Sequence, residues 1–327
     1  MSLRFSLGLL MIVVLTGCQR LVEPVMEAER WPVVSTTDGR KPAFEEMISL
    51  MEKARVVYLG EKHDNPHHHR MQRLILESLV ARGRKPVIGF EFFSREETGL
   101  LLSFVQGNTS PMMPNRSADE EERALRRRLN WEHRPEWSDY FPLLALAKQK
   151  GLMVFGADLP TGVRSRMARV GLGKMVALEK RFLVKSTLEN ASYRLLMQEQ
   201  FANSHCGMAG EGLLERLYQT WLARNEAMAE SIVTMAGETP GEPVVVILGA
   251  GHTQYDMGVY ERVAVRQPDW IQVNIGLREE GNSLQMPVRE ELAEVRRSFA
   301  PDHQYVWFTP VAEDPDKVDP CRMVKSK

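Results

Sequence analysis

Five residues able to move protons or hold a metal, Glu61, His63, Glu91, Asp158 and His252, each stand just after a short apolar run. Val57-Tyr58-Leu59 leads into Gly60-Glu61-Lys62-His63, and Ile88-Gly89-Phe90 leads into Glu91. Val154-Phe155-Gly156-Ala157 reaches Asp158, and Val246-Ile247-Leu248 reaches Gly249-Ala250-Gly251-His252. Carboxylates beside imidazoles can serve as general acid and base, activate water or ligate a divalent ion. One strand-end aspartate is usually no more than a satisfied loop polar. Five such groups, flanked by glycines that admit close approach of backbone and ligand, point instead to a functional edge.

Their wide separation along the chain requires a sheet to bring them together. Apolar, β-branched or aromatic runs at 56–59, 87–90, 152–155, 244–248, 271–275 and 305–308 have the continuity of strands covered on both faces. Stretches of helical periodicity mostly separate them. The chain is therefore predicted to be α/β, with a largely parallel central sheet flanked by helices. In such a sheet the carboxyl ends of the strands share one edge, which is where ligands bind. Residues 163–237 lack any strand signal and are rich in Leu, Met, Glu, Lys and Arg, which predicts an all-helical insertion, or lid, between core strands. The first part of the core is then 41–162, and the second part, with the C-terminal tail, is 238–327.

After the first strand, Asp64 or Asn65 is a good N-cap and Pro66 suits the first helical position. Met71, Leu74, Ile75, Leu76, Leu79 and Val80 form an apolar arc of that helix centred near His68 and Gln72. His68 and Gln72 are expected to face the strand ends, and His67 and His69 to lean toward solvent. The His63-x4-His68 spacing matches no standard zinc pattern. No G-x-S-x-G elbow occurs. Gly171-Leu172-Gly173-Lys174 lacks the earlier glycine and the following Ser/Thr of a P-loop, and Gln254 stands where a dinucleotide fingerprint needs its third glycine.

The 327 residues carry 42 Lys+Arg against 43 Asp+Glu, a balance that argues against a nucleic-acid partner. At the N-terminus Arg4 precedes an apolar segment, 7–15, too short to span a bilayer comfortably but suited to a signal peptide. Leu15-Thr16-Gly17-Cys18 resembles a bacterial lipobox. Residues 1–17 are thus expected to be a lipoprotein signal peptide, Cys18 the palmitate-bearing first mature residue, and 18–40 a lipid-anchored tether and edge segment. Gln19 after the cysteine points to the outer membrane, with the body facing the periplasm. Cys206 and Cys321 remain, either bridged, tying the tail to the middle of the chain in an oxidising compartment, or buried as free thiols.

Gly60-Glu61-Lys62-His63-Asp64-Asn65, His68-His69, Gln72, Gly89-Phe90-Glu91-Phe92 and Gly249-Ala250-Gly251-His252 are together similar to the motifs of the ChaN-like haem-binding lipoproteins. These belong to the superfamily of the Tiki and TraB proteins and erythromycin esterase. Trp131, Trp137-Ser138-Asp139-Tyr140, Ala157-Asp158-Leu159-Pro160, His205-Cys206-Gly207, Met228-Ala229 and Tyr305-Val306-Trp307-Phe308-Thr309-Pro310 extend the resemblance over about 56–321. Two positions depart from it: the family pattern would put asparagine at 158 and aspartate at 225, where this chain has Asp158 and Asn225.

The resemblance implies a haem-binding outer-membrane lipoprotein in haem and iron acquisition, a homodimer around its haem, with an uptake receptor or transporter as a further partner. It also implies that a tyrosine holds the haem. Tyr193 and Tyr218, both in the helical insertion, lead as ligand candidates, and Tyr255 is third; any single one of them is more readily read as a core or interfacial tyrosine with its hydroxyl satisfied. Met197 and Met208 are candidates to line a flat apolar pocket. The alternative is a metal-dependent hydrolase, because the two G-x-x-H motifs at 60–63 and 249–252 resemble those of the Tiki proteases. His63 and His252 would then hold a divalent metal ion or act as general base, and Glu61 would activate water, with Glu91 in the same site.

Overall fold

The computed structural model describes residues 30–107, 117–186, 188–281 and 301–312, together with Arg296, Ser298, Phe299 and Cys321. The expected signal peptide, Cys18 and the tether up to residue 29 lie outside the described residues. The chain runs β1 (Val33–Ser35), α1 (Phe44–Lys53), β2 (Val56–Glu61), α2 (Pro66–Ala81), β3 (Val87–Ser94), α3 (Thr98–Val105), α4 (Ala118–Arg128), α5 (Trp137–Lys150) and β4 (Val154–Asp158). Then come α6 (Thr161–Val170), α7 (Ala177–Lys180), α8 (Ala191–Ser204), α9 (Glu211–Glu238), β5 (Val244–Gly249), α10 (Val259–Arg266), β6 (Gln272–Glu279) and β7 (Tyr305–Thr309). The strands form one sheet in the order β1-β7-β6-β2-β5-β3-β4. Every pairing is parallel except that of the edge strand β1 with β7.

Two-sided burial explains the continuous apolar runs. Every residue of β2 and β5 is buried, and alternate side chains serve opposite layers. Val57, Leu59, Ile88, Phe90, Val245 and Ile247 pack with Met47 and Ile48 of α1, Leu74 and Ile75 of α2, and Leu143 and Leu144 of α5. Val56, Tyr58, Val87, Val244 and Val246 pack on the other face with Met228, Ala229, Ile232 and Ala236 of α9 and Val259 and Val263 of α10.

The described residues of 163–237 form helices and no strand, as expected, but the segment is not a detached lid. At 28 residues α9 is about 42 Å long. Its second half is the crossover that returns the chain from β4 to β5 and forms a layer on the sheet, so the boundary expected at 237 falls inside a helix. Its first half rises past the sheet and packs against α8.

Cys206 and Cys321 are joined, with an S–S distance of 2.05 Å and Cα atoms 5.3 Å apart. The bridge closes a span of 115 residues and ties the C-terminal segment to the turn after α8. Closing so long a loop restricts the unfolded chain more than the folded one. Replacing both cysteines, Cys206→Ala with Cys321→Ala, is expected to lower the unfolding free energy in urea by about 2–4 kcal/mol. An unchanged urea midpoint would show that the crosslink contributes nothing.

Candidate functional site

Parallel pairing sets the strand ends side by side: Glu61 of β2 pairs in register with Gly249 of β5, and Phe90, just before Glu91, with Ile247. All five strand-end residues named from the sequence gather on this edge, in two linked centres. The first is built on Glu61, whose side chain is fully buried. Its Oε1 accepts from the Tyr140 hydroxyl of α5 and faces His63 Nδ1 at 3.2 Å. Its Oε2 accepts from Gln72 Nε2 at 2.5 Å and faces His69 Nδ1 at 3.3 Å. Phe92 lies edge-on to the His63 ring, with centroids 4.7 Å apart, and tilts against Tyr140 at 4.4 Å. Burial disfavours the charged His63 ring, but the hydrogen bond to Glu61 and the charge of Glu91 outweigh it and raise the pKa. Burial, with the charge of Glu61, pushes the Tyr140 hydroxyl far up, so it remains a donor.

The second centre is built on Glu91. Arg224 of α9 donates through Nη2 to Glu91 Oε1 at 2.6 Å and through Nε to Asp158 Oδ2 at 2.8 Å. Asp158 also accepts from Arg164 Nη1 at 2.6 Å and from the Leu159 amide at 2.7 Å. Glu91 Oε2 accepts from the Gly249 amide at 2.6 Å. His252 Nε2 lies 3.2 Å from Glu91 Oε1, while its Nδ1 donates to Asn225 Oδ1 at 2.6 Å. Its ring stacks on Trp221, centroids 3.8 Å apart and 17° from parallel. Burial opposes ionisation of Glu91, yet the facing His252 and Arg224 outweigh it and hold the carboxyl well below the usual range. Gly249 is required between the two centres: a Cβ there would meet His63 Cε1 at 2.7 Å.

Helix α2 starts as expected, with Asn65 Oδ1 accepting from the His67 amide at 2.8 Å. His68 and Gln72 are fully buried. His68, however, is spent on the strand-to-helix turn, where its Nδ1 accepts from the Lys62 amide at 2.9 Å. The expectation that His69 leans toward solvent is wrong. It is buried, its Nε2 donates to the His63 carbonyl at 3.1 Å, and Tyr140 lies edge-on to it at 4.6 Å. Helix α5 covers the flank of α2 that an amphipathic count leaves open, widening the buried face beyond one apolar arc.

Tyr193, Tyr218 and Tyr255, far apart in sequence, meet in one apolar cluster with Leu196, Met197, Phe201, Trp221, Met257 and Phe299. Tyr193 accepts from Trp221 Nε1 at 3.2 Å, and Arg194 lies over the Tyr218 ring at 4.9 Å. Tyr255, just past His252, has a left-handed backbone with φ of 64° and packs on Phe299 at 5.6 Å. Met197 lines this cluster, whereas Met208 is 68% exposed and does not. Trp221 belongs both to the cluster and to the His252 stack, so the tyrosines adjoin the strand-end edge.

A profile described as haem-binding uptake, Tiki superfamily, ChaN matches residues 47–263. The chain belongs to this ChaN-like family. The matched span includes both centres and all three tyrosines. A solved structure described as cofacial haem binding to ChaN of Campylobacter jejuni superposes on the ChaN-like chain with a TM-score of 0.63 at 20% identity, covering 85% of this chain and 96% of that one. An erythromycin esterase, EreC, in an open conformation scores 0.46 at 16% identity, covering 90% of this chain and 86% of that one. Among curated proteins no match is found.

Sequence reasoning missed Tyr140, Trp221 and Arg224 as parts of the edge. For the latter two a signal existed, since Trp221, Arg224, Asn225 and Met228 fall at i, i+3, i+4 and i+7 on one helical stripe. Among the described residues no group of three His, Cys, Asp or Glu is arranged to hold a metal ion.

Removing Arg224 leaves two buried carboxylates without their shared cation. Arg224→Met is expected to cost about 3–5 kcal/mol in urea unfolding; a loss below about 1 kcal/mol would refute the counter-ion role. Burial and the neighbouring His69, Arg278 and Lys62 push His68 from 6.5 to about 3. The unfolded chain therefore binds a proton below pH 6.5 that the folded chain refuses, and stability falls as pH drops through that window. In His68→Gln the slope between pH 6.5 and 4 should flatten by up to about 1.4 kcal/mol per pH unit, read from urea midpoints.

Proposed function

We propose that this chain is a haem-binding lipoprotein of the bacterial outer membrane, anchored through Cys18 with its body facing the periplasm and acting as a homodimer in haem and iron acquisition. The observation that carries the reading is the meeting of Tyr193, Tyr218 and Tyr255 in one aromatic and methionine-lined cluster, in a chain of the ChaN-like family. Phenol oxygens set among mostly apolar side chains are a donor set that fits ferric haem, which supplies a flat apolar surface and an iron that takes a hard anionic oxygen. Of the three, Tyr255 is on strained left-handed backbone, a cost that persists where surrounding structure demands it. Burial raises the pKa of all three hydroxyls, to about 12 for Tyr255. Iron would have to displace the proton of whichever phenol binds it. No helix among the described residues is long and apolar enough to cross a membrane, so the lipid on Cys18 is the attachment this reading invokes.

The hydrolase alternative has less support in the geometry. Glu61 is engaged by Tyr140, Gln72, His63 and His69, and Glu91 by Arg224, Gly249 and His252, so neither carboxylate is left to activate water. Both ring nitrogens of His252 are committed, to Glu91 and Asn225, and at 225 an amide stands where the family pattern would supply an acid.

Purified protein without its lipid should give a saturable Soret shift with a high-spin, tyrosinate-like spectrum. One of Tyr193→Phe, Tyr218→Phe and Tyr255→Phe, with Tyr255→Phe tested first, should lose that signature. Retention of the signature in all three would reject the ligand set while leaving haem binding intact. No saturable haem binding, together with hydrolysis abolished by His252→Ala, would reject the proposal in favour of the enzyme.

A further inference from the structure

Residues 161–185 hold seven Lys and Arg and one acid, Glu179, in a chain whose formal charge is −1 overall. Glu179 is taken up by Arg166, Nε to Oε1 at 2.6 Å, and Arg164 is taken up by Asp158. Arg169, Lys174, Lys180 and Arg181 are exposed and have no acid of their own stretch left to answer them. Among them stand Leu172, Val176 and Leu178, exposed to 40%, 53% and 65%. Of the eight large apolar side chains exposed among the described residues, these three fall within seven consecutive positions, so they form a patch rather than scattered single exposures.

Packing beneath the patch holds it outward. Met175 turns in onto Val163, Met167, Ala223 and Ala227, and Phe182 and Leu183 pack on the same cluster. Glu179 Oε2 accepts from the Val176 amide at 2.9 Å and sets the start of α7. On the α9 side, Arg216 Nε donates to the Ala168 carbonyl at 3.1 Å, and a Cβ on Gly171 would meet the Arg216 side chain at 3.3 Å. Arg216 is eight residues before Arg224, so this part of the chain stands about 12 Å farther along α9 than the contact with Glu91 and Asp158, beyond the carboxyl ends of the strands.

The chain enters the sheet from this same side. β1 is antiparallel to β7, with Val33 opposite Trp307 and Ser35 opposite Tyr305, and the Phe308 amide donates to the Pro32 carbonyl at 3.0 Å. The residues leading into β1 therefore approach from the carboxyl edge, with β1 at one margin of the sheet and β4, which leads into α6, at the other. Six strand spacings of about 4.8 Å separate the margins, roughly 29 Å, and the twelve residues 18–29 can reach at most about 40 Å. A body anchored through Cys18 can thus set the patch on the bilayer that holds its lipid.

We propose that the surface of residues 169–181 docks on an anionic phospholipid bilayer, with its aliphatic side chains at the headgroup boundary and its bases on the lipid phosphates. The proposal rests on the anchored reading for the direction of approach, and on exposure and charge for the contact itself. Bases flanking exposed aliphatics make an interfacial surface, on which apolar burial and attraction to anionic lipid act together. An isologous contact between two copies would set this positive surface against itself. Nucleic acid would use the bases but leave Leu172, Val176 and Leu178 in water.

The test uses purified protein without signal peptide or lipid, co-sedimented with vesicles of phosphatidylethanolamine and phosphatidylglycerol or of phosphatidylcholine alone. Saturable binding is expected on the anionic vesicles, weaker on phosphatidylcholine and weaker at high salt. Lys174→Glu with Lys180→Glu should weaken it at least about tenfold, since each base near such a surface is worth about fivefold. Leu172→Ser with Leu178→Ser should weaken it by a similar factor, and because all four side chains are exposed the urea midpoints of both pairs should match the parent. Lys53→Glu with Lys85→Glu, exposed just before β2 and β3 at the amino edge of the sheet, should leave binding unchanged. No saturable binding to anionic vesicles, or equal losses from the two lysine pairs, would overturn the surface. Vesicle binding retained by the serine pair would overturn it as well, and loss of a dimer in that pair would assign the apolar side chains to a second copy. Palmitate labelling of the full chain tests the anchor separately. A labelled chain whose lipid-free form ignores vesicles overturns the surface alone; an unlabelled chain whose lipid-free form binds them overturns the anchor alone.

Discussion

Glu91 and Asp158 are buried on adjacent strands at one edge of the sheet, and Arg224 is the one side chain that answers both. Two carboxylates taken out of water in such proximity repel strongly and pay a desolvation cost that only close cationic partners offset. A guanidinium does this with two separate N–H donors at 2.6 and 2.8 Å. Because Arg224 belongs to α9, the same contact pins the long helix to the strand ends. Trp221 is thereby set on His252, Asn225 beneath its other nitrogen, and Tyr218 against α8 and Tyr255.

The result is a division between a polar edge that satisfies itself and a largely apolar cluster beside it. Around Glu61 and Glu91 nearly every lone pair has a protein donor, which is the condition for burying carboxylates at all. The edge therefore holds β2, β3, β4 and β5 to α2, α5 and α9. The tyrosine cluster has the opposite character, with phenols among Leu, Met, Phe and Trp. The acid at 158 and the amide at 225 follow the same logic. The acid stands where Arg164 and Arg224 neutralise it, and the amide stands where His252 needs an acceptor without another charge.

Much of this was legible because it depends on local physics. Strands buried on both faces must be continuously apolar, and glycines followed by acid and histidine at their ends mark the edge, so Glu61, His63, Glu91, Asp158 and His252 could be named together. Asn65, Pro66 and the arc centred on His68 announced α2 and its inward face. His69 was misjudged because its burial is decided by α5, 71 residues away at Tyr140. Tyr140 was missed for the same reason, since it is recognisable only by what it touches from another part of the chain.

The sequence by itself determined the α/β class, the family resemblance, the helical stretch after β4 and the residues at the strand ends, since periodicity and motif spacing are properties of neighbours in the chain. Tertiary structure alone decided that α9 is both crossover and wall, that Cys206 reaches Cys321, and that Tyr193, Tyr218 and Tyr255 share one enclosure. It alone decided, too, that Arg224 of α9 answers both buried carboxylates, Glu91 and Asp158. Whether a buried charge is answered depends on groups brought close by packing, and no spacing along a single strand encodes that distance.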